Sequence, residues 1–183
     1  MAAPRGNTGD SCYFITASTY GKKSLFQSER MAQLFIEVLF HYRRQEKYLL
    51  HEFVLMPNHF HLLITPAETL ERAIQLIKGG FSYRATKELG FGGEIWQPSF
   101  YDRRVRDLAE YFAFRDYIRL NPIKKGLCAE YPYSSSRAEF VMGGLPQRLK
   151  PVSVGAGIAA LKALRHPKAG PPGFGWRSGS PLR

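Results

Sequence analysis

A chain of 183 residues with 44% hydrophobic and 14% aromatic side chains can bury a full core, which excludes a disordered or fibrous polymer. No stretch approaches the roughly 18 apolar residues of a membrane span, and the start MAAPRGNTGDSCYF lacks the apolar centre of a signal peptide. The net charge of +11 favours a polyanionic partner, either nucleic acid or an anionic membrane surface. Cys12 and Cys128, the only cysteines, match no C-x-x-C spacing, so a soluble cytoplasmic protein with reduced thiols is expected.

The charge is unevenly spread. Residues 143–183 carry seven Lys or Arg and no Asp or Glu, leaving +4 on residues 1–142. The last stretch, GPPGFGWRSGSPLR, is too dense in Gly and Pro for a packed element. We therefore divide the chain into a domain over 1–142 and a flexible basic extension over 143–183. AGIAALKALRH could form one short helix within that extension.

In chain order, SCYFITASTYG is rich in aromatic and β-branched residues and predicts a first strand. SERMAQLFIEVLFHYRRQEKY places Met31, Leu34, Phe35, Val38 and Leu39 at helical spacing, with Ser28 as the N-cap. LLHEFVLM and HFHLLIT predict an antiparallel hairpin around the Pro57-Asn58 turn. TLERAIQLIKGGFSYRATKELG repeats helical spacing through Leu70, Ala73, Ile74, Ile77 and Phe81, and Gly79-Gly80 predicts a weakening or a kink in that helix. EIWQPSFYDRRVRD reads as extended, with Pro98 at an edge or bulge. DLAEYFAFRDYIRLNP predicts a helix capped near Asp107 and stopped by Asn121-Pro122. The order β-α-β-β-α-β-α is the α+β, ferredoxin-like split βαβ plan: an antiparallel sheet with helices on one face, plus one added C-terminal helix. Many functions use that plan, so the chemistry must be sought in particular residues.

His59 and His61 alternate with Phe60, Leu62 and Ile64, so the two imidazoles share one sheet face while the hydrophobes share the other. Two neutral imidazoles on one face can hold a divalent metal, although a solvated pair of polar side chains has the same pattern. Two ligands do not complete a site. On the last helix Tyr117 and Asn121 stand one turn apart on one face, where an amide oxygen could act as a third ligand and a phenol as a nucleophile. Oxygen-containing coordination with two His suits Mg²⁺ or Mn²⁺. Basic and aromatic residues interleave elsewhere. Lys78, Arg84, Arg103, Arg104 and Arg106 could meet phosphates, and Trp96, Phe100 and Tyr101 offer faces for unpaired bases, a combination that favours single strands over duplex. No nucleotide-triphosphate loop motif is present.

FVLMPNHFHLLITP, IWQPSFYDRRVRD, DYIRLNPIKKGL and YPYSSSRAE, in that order, resemble the REP-associated tyrosine transposases. These are single-tyrosine transposases of the IS200-like group, with a His-hydrophobe-His signature. The resemblance spans about residues 10–140. It implies that His59 and His61 are metal ligands, that Asn121 is the third ligand, and that Tyr117 is the catalytic nucleophile forming a 5′-phosphotyrosine. It also implies a ferredoxin-like fold and a single-stranded DNA substrate that folds into a hairpin, often a repetitive extragenic palindrome. The expected activity is metal-dependent nicking and strand joining by a monomer or homodimer. Two rivals stay open at this level: a non-catalytic, ferredoxin-like single-stranded nucleic-acid binder, and a metal-dependent hydrolase in which water attacks.

Overall fold

Tyr13, Ile15 and Ala17 alternate with Phe14 and Thr16, and this period of two builds the first strand, β1 (Tyr13–Ser18). The computed structural model describes residues 11–128, 130–140 and 177–178. Within them follow α1 (Glu29–Arg44), β2 (Tyr48–Met56), β3 (His59–Pro66), α2 (Leu70–Leu89), β4 (Ser99–Arg104), α3 (Leu108–Lys124) and the two-residue β5 (Arg177–Ser178). The strands form one antiparallel sheet in the order β2-β3-β1-β4-β5. The first four stand in the ferredoxin-like order that the split βαβ plan demands.

Two cores lie on opposite faces of the sheet. On one, Ile15, Phe53, Leu55, Phe60, Leu62 and Ile64 meet Phe35, Val38 and Leu39 of α1 and Ile74, Ile77 and Phe81 of α2. On the other, Phe14, Val54, Met56 and Leu63 meet Tyr111, Phe114, Tyr117 and Ile118 of α3. Thus α1 and α2 share a face and the added helix covers the reverse. A register shift between Leu50 and Glu52 sets this arrangement in β2. The extra residue, His51, lets Leu50 and Phe53 both point to the α1–α2 core while Glu52 turns toward α3, as a β-bulge does.

Several local expectations need correction. Ser28 holds the N-cap position of α1 but makes no side-chain cap bond. The second helix is not broken at Gly79-Gly80: α2 runs through as one helix of 20 residues. Gly80 is there for proximity, since a Cβ at that position would stand 2.7 Å from Tyr42 Cε2 of α1. Pro122 does not end α3, which continues to Lys124. A proline in the last turn forfeits one helical hydrogen bond, and Pro122 is itself buried. In the basic extension, Arg177–Ser178 pairs with Ser99 and Phe100 of β4, where a packed element was not expected. Main-chain groups on an edge strand accept any extended segment, so Gly and Pro content nearby does not forbid it. The suggested AGIAALKALRH helix lies outside the described residues. Among the described residues no helix is long and apolar enough to cross a membrane.

Candidate active site

His61 sits mid-strand in β3, opposite Thr16 of β1 and Val54 of β2, and is almost fully buried. Its Nδ1 lies 2.7 Å from the Thr16 hydroxyl, and its Nε2 faces Asn121 Nδ2 at 3.3 Å. The amide nitrogen can only donate, so Nε2 is the unprotonated nitrogen and Nδ1 carries the hydrogen toward Thr16. His59 opens the same strand just after the turn, half-exposed. Its Nδ1 lies 2.6 Å from Asn58 Oδ1, an acceptor, which places the proton on Nδ1. Both imidazoles therefore turn Nε2 lone pairs to one face, their rings perpendicular and 4.8 Å apart. Side chains that bond the far nitrogen in this way are what hold a metal-binding histidine in tautomer and orientation.

The second half of the site comes from α3. Asp107 caps its N-terminus, accepting the Glu110 N–H at 2.8 Å, and Phe114 stacks on Phe14 of β1 at 4.4 Å. That packing turns Tyr117 and Asn121 toward the histidines. The Tyr117 ring stands edge-on to His61 at 5.1 Å and to Phe14 at 5.8 Å. Burial pushes the Tyr117 phenol above its ordinary pKa, and the Asn121 amide partly offsets this. Lys124, at the helix end, places its ammonium 5.9 Å from the centre of the same ring.

Asn121 is 2% exposed, and its Oδ1 is buried with no hydrogen-bond partner among the described residues. A buried acceptor left open beside imidazole lone pairs is costly unless something else satisfies it. Among the described residues no three His, Cys, Asp or Glu side chains cluster, so a cation held by His59 and His61 needs a ligand of another type. The Asn121 oxygen is such a donor once the amide turns its N–H away from His61 Nε2, and the set of two imidazoles and one amide then fits a divalent ion.

Sequence reasoning missed the supports of this site. Glu52, buried in β2, accepts from Arg119 of α3 at 2.6 and 3.2 Å, and from the Ser135 hydroxyl at 2.5 Å. Ser135 N–H in turn donates to Phe53 O, and Leu55 N–H to Tyr133 O, so the segment YPYSSSRAE runs along the free edge of β2. Thr16 and Asn58, which orient the histidines, look in the sequence like ordinary strand and turn residues. The one available signal for Asn58 is its place immediately before His59.

The residues assigned to nucleic acid fall in four places. Trp96 packs among Phe26, Phe35, Phe60 and Phe81 in the α1–α2 core, and its indole N–H donates to Lys78 O. Lys78 donates to Gln97 O at 2.8 Å, and burial lowers its pKa to about 8. These two are occupied in the core on the face away from Tyr117. Arg84 is paired with Glu37 and Glu88 on the outside of α2. Arg103 and Arg106 both bind Glu110, with Arg103 also over the Phe114 ring. Tyr101 packs at the border of the α3 core, and Arg104, opposite Tyr13, is exposed at the other end of β4. Only Tyr101, Arg103 and Arg106 lie on the α3 side.

Comparisons with known proteins agree with this architecture. A family model described as "Transposase IS200 like" matches residues 10–121. The REP-associated tyrosine transposase of Escherichia coli K12 is 23% identical over 140 residues, covering 73% of this chain and 81% of that one. An uncharacterised protein of Haemophilus influenzae is 28% identical over 144 residues, covering 61% and 79% respectively. A solved structure of a REP-associated tyrosine transposase bound to a REP hairpin shares the fold, with a TM-score of 0.62 at 22% identity over 81% of this chain and 94% of that one. The matched span includes every strand from β1 to β4, the paired histidines and Tyr117, and the chain belongs to the IS200-like transposase family.

Proposed function

We propose that this transposase cleaves and rejoins single-stranded DNA through Tyr117, with His59, His61 and Asn121 holding Mg²⁺ or Mn²⁺. The observation that carries the reading is the meeting of two distant segments. Asn121 reaches His61 at 3.3 Å, Tyr117 packs edge-on to the same imidazole and His59 lies beside it, so a nucleophile and three candidate ligands gather around one side chain. A bound divalent ion there would polarise the scissile phosphate and offset charge growing on its oxygens.

The chain's own residues do the rest. The Tyr117 oxygen attacks phosphorus in line and gives up its proton as the new O–P bond forms. The bond to the 3′ oxygen breaks, the electron pair leaves with that oxygen, and it takes up a proton. One phosphate ester replaces another, so the resulting 5′-phosphotyrosine keeps the bond energy. A 3′-hydroxyl can reverse the step without ATP. Packing against Phe14 and His61 restricts the Tyr117 ring, which favours a defined line of attack. A hairpin substrate is supported by the solved relative, which holds a REP hairpin.

The test is incubation of the full chain with single-stranded hairpin DNA and Mg²⁺ or Mn²⁺, followed by denaturing electrophoresis. A DNA adduct that survives denaturation is expected. Cleaved DNA without an adduct would point to attack by water, and binding without cleavage to a non-catalytic binder.

A further inference from the structure

The loop that follows β1 is built around the residue that orients His59. Ser18 pairs with His59, and Thr19, fully buried, sends its N–H to Asn58 O at 3.0 Å. The Thr19 hydroxyl lies 2.7 Å from Lys23 O and 3.0 Å from Asn58 O, and Asn58 Nδ2 reaches Lys22 O at 3.4 Å. Asn58 therefore holds the His59 imidazole with its oxygen and the loop with the rest of its polar groups. A ligand held by this loop would lie beside the end of β3 that carries His59.

The side chains of the loop point to a ligand. Tyr20 is 41% exposed, and among the described residues its ring packs on no other aromatic. Lys22 and Lys23 are exposed, with no ion pair among the described residues. Most cations near the sheet are engaged: Arg103 and Arg106 by Glu110, Arg119 by Glu52, Lys78 by Gln97. Gly21 and Lys22 both adopt left-handed backbone, φ 59° and 54°. Glycine does so freely, but a lysine there is strained, and such strain concentrates where the chain must present a side chain for function.

We propose that Tyr20, Lys22 and Lys23 form a contact for single-stranded DNA at the His59 end of the pocket, with a base stacked on Tyr20 and adjacent phosphates on the two lysines. This rests on the function proposed above and names part of the path the strand takes. An exposed aromatic beside free cations is the general way unpaired bases and their backbone are held together. A duplex would engage the lysines but has no free base for Tyr20.

The experiment measures binding of a fluorescent DNA hairpin carrying a single-stranded extension, using the full chain with Tyr117→Phe to prevent turnover. Lys22→Asn with Lys23→Gln removes both charges, and asparagine tolerates the left-handed backbone. The slope of log affinity against log salt should flatten by about 1.4, two contacts at about 0.7 each. Tyr20→Ala should weaken binding by about 5- to 150-fold, and Tyr20→Phe should restore it with an unchanged melting temperature. If the wild type forms its DNA adduct while these variants keep affinity and slope, the inference fails and the proposed function stands. If affinity falls only in step with melting temperature, and Tyr20→Phe does not rescue it, the loop is merely structural and the inference fails. If the wild type neither binds the hairpin nor forms an adduct, both fail together.

Discussion

Arg119 grips Glu52 with two nitrogens, and this pair ties the helix that carries Tyr117 to the hairpin that carries the histidines. The Glu52 side chain is 4% exposed and that of Arg119 is 43% exposed, so the carboxylate is the member that depends on its partner. Arg119→Ala should cost about 2–3 kcal/mol, since it leaves a buried charge with only the Ser135 hydroxyl. Glu52→Gln should cost less, because a neutral amide is left and Arg119 can turn to water. Urea denaturation of both variants checks the order. Equal losses would mean that the pair does not fix α3.

Gly80 should resist replacement because of Tyr42. Alanine gains up to about 1 kcal/mol over glycine in a helix interior. Here its Cβ would lie 2.7 Å from the Tyr42 ring, and relieving that overlap should cost more than the gain. Gly80→Ala should therefore destabilise the wild type by about 1 kcal/mol and stabilise a Tyr42→Ala background by a similar amount. Melting temperatures of the four proteins close the cycle, and the same sign in both backgrounds would contradict this account.

These two cases show what was legible in the sequence. A strand has a period of two, so the His59–His61 face and the Phe60–Leu62–Ile64 face could be assigned from local order alone. A helix brings residues four apart together, so Tyr117 and Asn121 could be paired. Relations that depend on contacts between distant segments could not be read in this way. Gly79-Gly80 looks like a helix breaker until Tyr42 is seen against it, and Pro122 like a stop until the end of α3 is seen packed. Lys78 and Trp96 have the composition of a nucleic-acid contact, but the packing of α2 on the sheet turns them inward. The bulge at His51, which aims Glu52 at α3, has no local signature at all.

The stability of α3 should depend on acid through Glu110. Burial would raise its carboxyl pKa, but Arg106 and Arg103 outweigh burial and hold it below the ordinary glutamate value. A depressed folded pKa stabilises the protein above the unfolded value of about 4.3 and loses that contribution as pH falls through the folded one. Wild type should therefore exceed Glu110→Gln in melting temperature near neutrality, with the gap closing in acid. A gap independent of pH would show that the ion pairs contribute nothing.

Metal binding should follow the roles given to the imidazoles. His59→Ala and His61→Ala should each abolish Mn²⁺ binding seen by calorimetry, and Asn121→Ala should weaken it less, its amide oxygen being the only neutral oxygen donor of the three. Asn58→Ala, which frees the far nitrogen of His59, should lower affinity by about 10- to 100-fold. Unchanged affinity in the histidine variants would remove the metal from the site.

The most direct measurement is the fate of a 3′-labelled hairpin incubated with Mn²⁺ and either wild type or Tyr117→Phe, the reaction then being denatured and the protein digested for mass spectrometry. That substitution removes one oxygen and leaves the ring contacts with His61 and Phe14 in place. The account predicts a DNA adduct on the peptide bearing Tyr117 in the wild type, and none in the variant despite equal DNA binding. An adduct at wild-type yield in Tyr117→Phe, or one mapped to Tyr101 or Tyr111, would contradict it.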